Sequence, residues 1–157
     1  MNKLFKVGAT LLFALFLAAC NKADPAAELK KLEDWSAANQ QAQATFQADF
    51  QKKMASGDLA QIEQAAKEFN DNFSKIEQSL AAVDVKNDEV KALKTKMQET
   101  LKLSTSLVQD GVELLRNPDQ SPEKVAAVQK KTEETIKSSQ EVLKLRSELA
   151  EKFNKKQ

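Results

Sequence analysis

Residues 58–84 read DLAQIEQAAKEFNDNFSKIEQSLAAVD. Their apolar side chains, Leu59, Ile62, Ala66, Phe69, Phe73, Ile76, Leu80 and Val83, are spaced 3, 4, 3, 4, 3, 4, 3. An α-helix turns once every 3.6 residues, so this spacing lines one face from end to end. A strand would scatter the same residues over both faces, because its side chains alternate. An unbroken seam of about three and a half heptads is the packing surface of a coiled coil or a helical bundle. The stretch therefore predicts a long helix with one stripe to bury.

The flanking sequence repeats the theme. Upstream, Ser56-Gly57-Asp58 reads as a stop and restart, with Gly suited to a left-handed turn and Asp to the next cap. Gln61, three residues after Asp58, resembles the acceptor half of a capping box. Before that turn, Asp24-Pro25 is a helix start, and Leu29, Leu32, Trp35, Ala42, Phe46, Phe50 and Met54 recur at helical spacing. Downstream, Asp84 to Asp88 is polar apart from Val85 and forms a second turn, with Asn87 or Asp88 as cap. A third helix carries Val90, Leu93, Met97, Leu101, Leu107, Val108, Val112, Leu114 and Leu115, with Gly111 inside it. Close approach of a neighbouring helix is the first expectation for that glycine and a local kink the second. Residues 117–122 (NPDQSP) make the third turn, and the last helix holds Val125, Val128, Ile136, Val142, Leu143, Leu145, Leu149 and Phe153. The expected class is all-α: an antiparallel up-down-up-down four-helix bundle with helices at about 25–56, 58–84, 88–117 and 122–154, and a solvated tail at 155–157. An extended pair of hairpins, or an oligomer that shares its seams, fits the same pattern.

The first twenty residues carry a different message. Lys3 and Lys6 precede an apolar run from Val7 to Ala19, about 13 residues long, where a helical span needs roughly 20. The run ends in Leu17-Ala18-Ala19-Cys20, which resembles the lipobox of bacterial lipoproteins and includes the single Cys of the chain. The resemblance implies a signal peptide at 1–19, cleavage before Cys20, acylation of that Cys, palmitate among the chains, and a short linker at 20–24. One acyl chain holds a protein only marginally, whereas two or three anchor it firmly. The membrane is then a partner through the acyl chains alone. Lipoproteins with Asp after the Cys tend to stay in the inner membrane; Asn21 here implies the outer membrane, facing the periplasm or the outside.

Composition removes most chemistry. The chain has no His, which excludes a His general base, a Ser-His-Asp triad and ordinary zinc or haem sites. Its three Gly, at 8, 57 and 111, are too scattered for a phosphate-cradling loop. Without Lys3 and Lys6, the 24 basic residues fall to 22 against 23 acidic, which gives no electrostatic reason to expect nucleic acid. Adjacent acids such as Glu133-Glu134 and Asp88-Glu89 point about 100° apart on a helix and do not converge on a metal. No cofactor, metal or catalytic residue is expected.

Polar residues nevertheless interrupt the seams. Asn39 and Gln43 on the first helix, Ser104 (with Thr105) on the third, and Thr132 and Ser139 on the fourth fall at or beside core positions. They form either a polar band around a ligand cavity, a register-setting layer, or side chains bonded back to their own helices. Phe46, Phe50, Phe69 and Phe73 read as core, and Trp35 as part of that cluster or of the membrane-proximal end. Charge divides unevenly: residues 56–84 hold two Lys against six acids, and residues 122–157 nine bases against six acids. The functional expectation is a lipid-anchored, non-enzymatic interaction module of the cell envelope with a protein partner. The alternative is a bundle that binds a small molecule or lipid between its helices.

Overall fold

The structure, a computed structural model, describes residues 24–116 and 121–154, with side chains throughout except at 41–45 and 47. The signal peptide expected at 1–19, the acylation expected at Cys20, the start of the third turn at 117–120 and the tail at 155–157 lie outside the described residues. Within them the chain is helical: α1 (Pro25–Met54), α2 (Leu59–Ala81), α3 (Asp88–Arg116) and α4 (Pro122–Asn154). None of these helices is long and apolar enough to cross a membrane.

The helix ends follow from local chemistry. The Asp24 carboxylate accepts the Ala26 N–H at 3.0 Å, and Pro25 occupies the first turn, where a missing N–H is harmless. α1 stops because Gly57 takes the left-handed region, with φ +72°, that other residues avoid. Asp58 then caps α2 through the Ala60 N–H at 2.9 Å. Gln61 does not complete a capping box. It donates its amide to Asp58 Oδ2, and the Asp58 N–H goes to Ser56 Oγ instead. Asn87 is the cap of α3, accepting the N–H groups of Glu89 and Val90. The C-terminal carbonyls of α2 are met from α3: Lys94 Nζ donates to Ala81 O and Val83 O, each at 2.7 Å.

Successive helices run antiparallel. Lys31, near the start of α1, donates to Asp84 O beyond the end of α2, and Lys53, near the end of α1, pairs with Glu68 in the first half of α2. Arg116–Glu63 fixes α3 against α2 in the same sense, and Lys152–Glu89 fixes α4 against α3. α1 also meets α3 and α4, whereas α2 and α4 make no contact among the described residues. The main core lies at the end where α1 begins. There Leu29, Leu32, Leu80, Val85, Val90, Leu93, Leu149 and Phe153 are buried together, and Leu32, Leu80, Val90 and Leu93 are wholly enclosed. Each such side chain contributes about 1.5–3 kcal/mol. A smaller cluster of Ile62, Ala66 and Val112, with Met54 and Val108 against it, closes the other end.

Several expectations need correction. Leu59 and Leu115, at helix ends, are 44% and 49% exposed, and Ile136 and Leu143 are 54% and 64% exposed, so none of the four is core. Seven residues apart, Ile136 and Leu143 sit on the outer edge of an apolar stripe wider than its neighbours cover. A methyl group at Gly111 would meet nothing within 4 Å, so no helix approaches closely there, and α3 is continuous through it. Trp35 packs against the main core and donates its indole N–H to Ser79 Oγ at 2.9 Å, apart from the phenylalanines. Those form a separate ladder between α1 and α2, in which Phe69 and Phe73 stack with ring centroids 4.0 Å apart and Phe50 and Phe69 lie 5.2 Å apart. The charge imbalance has a use within the chain. Acids of α2 meet bases from α1 and α3 (Glu68 with Lys53, Glu63 with Arg116). Bases of α4 meet acids from the same two helices (Arg146 with Glu33, Lys131 with Asp110, Lys152 with Glu89).

Candidate functional site

Between the two core clusters, α1, α3 and α4 do not close on one another. They leave a cavity of about 440 Å³, open on one side and lined by side chains from Glu33 to Gln40, Met97 to Leu101, and Ser139 to Arg146. The volume lies in the range of small-molecule sites. Met97, Leu101 and Val142 form its apolar wall, and the exposed Leu143 stands at its rim. The gap has a sequence cause. α1 changes here from the apolar Leu29–Leu32 turn to the run Ser36-Ala37-Ala38-Asn39-Gln40, whose small and polar side chains cannot fill the space opposite α4.

Two of the residues singled out from the sequence, Asn39 and Ser139, come together on this wall. Ser104 and Thr132 do not line it, and the side chain of Gln43 lies outside the described set. Each described member bonds back to its own helix. Asn39 Nδ2 donates to Trp35 O at 2.7 Å, Ser104 to Thr100 O at 3.0 Å, Thr132 to Val128 O at 2.8 Å and Ser139 to Thr135 O at 2.9 Å. Their neighbours make a polar link between α3 and α4 instead: Thr100 Oγ1, also on the cavity lining, lies 2.7 Å from the buried Ser138 Oγ. Ser138 neighbours Ser139 in sequence, and only the rotation of α4 decides which of the two faces α3.

At the upper mouth, Arg146 Nε donates to Glu33 Oε1 at 3.2 Å, with both side chains partly exposed. The displaced pKa values lie off the cavity wall. A hydrogen bond from Lys96 holds the Glu141 carboxyl below its ordinary range and the same contact lifts Lys96; Lys53 and Glu68 behave alike. Among the described residues, no group of three or more His, Cys, Asp or Glu is placed to hold a metal ion.

A second carboxylate does structural work that the sequence reading missed. Glu28 is 4% exposed, and its oxygens accept the Lys86 N–H at 2.9 and 3.0 Å and the Asn87 N–H at 2.7 Å. It clamps the α2–α3 turn to the start of α1. The available signal was slight: an acid one residue before Leu29, on the edge of the buried stripe.

Residues 26–154 match the family model described as Uncharacterised lipoprotein PM1805, which covers nearly all of the described helices. No curated protein and no solved structure matches the chain.

Proposed function

Because the chain belongs to the uncharacterised lipoprotein family PM1805, we propose that it is a lipid-anchored, non-enzymatic module of the cell envelope, held through Cys20 and acting by contact with an envelope partner. The family match supports the lipoprotein part of this reading, the lipobox Leu17-Ala18-Ala19-Cys20 would supply the attachment chemistry, and the non-enzymatic role rests on a composition without His. Asn21 favours the outer membrane. The helices support the finer architecture of an up-down-up-down four-helix bundle, since successive pairs are antiparallel and α1 returns to α4. Replacing Cys20 with Ser tests the anchor: the protein should leave the membrane fraction, lose its fatty-acid mass increment and fail to restore function in cells. A Cys20→Ser form that stays with the membrane or complements fully would overturn the anchored role.

The cavity favours a second reading, in which the module also holds a small ligand between α1, α3 and α4. Native mass spectrometry of the full chain distinguishes the two. A reproducible adduct supports binding, and bare protein mass supports contact alone.

A further inference from the structure

The cavity wall narrows the chemistry of any occupant. A site for a sugar or nucleotide presents several convergent, unoccupied donors. Here four of the polar side chains of the wall are already engaged inside the protein: Ser36 donates to Leu32 O, Asn39 to Trp35 O, Thr100 to Lys96 O and Ser139 to Thr135 O, which leaves the exposed Gln40 as the remaining uncharged amide of the lining. The Trp35 indole N–H is likewise directed to Ser79. What the wall offers is hydrocarbon and sulfur, from Met97, Leu101, Val142 and Leu143. Charge appears only at the upper mouth, where Arg146 meets Glu33. The guanidinium has five N–H donors in a fork that suits a carboxylate, and the exposed pair with Glu33 is weak enough to rearrange. From that mouth the cavity runs about 10 Å along α4, from Arg146 to Ser139 at 1.5 Å per residue, with the apolar side chains of α3 and α4 along it.

We propose that this groove binds the acyl chain of a free fatty acid, with the chain against Met97, Leu101, Val142 and Leu143 and the carboxylate on Arg146. The proposal rests on the second reading above and names its ligand class. It also explains why Leu143 is left 64% exposed beside a cavity: the bound chain covers it.

The test uses the full lipidated chain in phospholipid nanodiscs, photolabelled with diazirine-bearing palmitic acid and, in parallel, diazirine-bearing palmityl alcohol. Label from the acid should concentrate on peptides spanning 33–40, 97–101 and 139–146, and excess palmitic acid should suppress it. Leu143→Gln should weaken labelling about tenfold, the equivalent of one lost apolar contact of about 1.5 kcal/mol. Arg146→Gln should lower labelling by the acid while leaving the alcohol unchanged. Label spread evenly over the exposed helices, or unmoved by both variants, overturns the proposal. A rise in labelling after Cys20→Ser overturns it differently, by assigning the groove to the protein's own acyl chains. A polar adduct in native spectra without acyl labelling overturns the fatty-acid assignment and leaves a ligand-binding cavity standing.

Discussion

Three single residues test how the backbone is held. Glu28 carries the largest expected effect, since removing its carboxylate leaves the N–H groups of Lys86 and Asn87 unpaired beside the core. Glu28→Ala should destabilise the fold by about 2–3 kcal/mol and Glu28→Gln by less, read as a shift in urea midpoint. The two described glycines should respond in opposite directions. Gly57→Ala forces φ +72° on a side chain and should cost about 1 kcal/mol. Gly111→Ala meets open space in a regular helix and should stabilise by about 0.5–1 kcal/mol. A Gly111→Ala variant that unfolds earlier would mean that something does pack there.

At the scale of the elements, α4 is the informative helix, because its stripe is only partly covered. Leu149→Ala should cost about 2–5 kcal/mol, whereas Leu143→Gln should change stability by less than about 0.5 kcal/mol. Thermal melts of the two variants check the contrast. The contact of α3 with α4 also carries a pH signature. The carboxyl of Glu141 titrates below its ordinary 4.5 in the fold, so its contribution is present above that value and is lost as pH falls through the folded pKa. Lys96 titrates above its ordinary 10.5, so its share is full below that value and is lost as pH rises further. The stability difference between the wild type and a Lys96→Met, Glu141→Gln variant should thus be flat between those limits and shrink outside both. Denaturant titrations across pH measure it. α2 was readable from its spacing: Ile62, Ala66, Phe69, Ile76 and Leu80 are buried, Phe73 and Val83 are half-buried, and only Leu59 at the first turn is exposed among the eight seam residues. Ile136 and Leu143 misled because a helical wheel shows which residues share a side, not how much of that side a neighbour covers.

For the whole molecule, the charge pattern is a code for neighbours. Apart from Lys96 of α3 with Glu141 of α4, α1 and α3 present bases to the acids of α2 and acids to the bases of α4, and α2 and α4 do not touch among the described residues. Exposed pairs of this kind are screened by water and add little to stability, so the pattern selects register more than it holds the fold.

The order of helices, their caps and the lipobox were set by the sequence itself, because each depends on residues within a few positions of one another: Asp24 with Ala26, Asp58 with Ala60, and Leu17 to Cys20. The Glu28 clamp, the choice of Ser138 over Ser139 as the link between helices, and the cavity came only with tertiary structure. Glu28 reaches partners 58 and 59 residues away, and the cavity exists only where three helices diverge. Periodicity is local and survives in one dimension. The rotation of one helix against another is decided by the packing of the whole set.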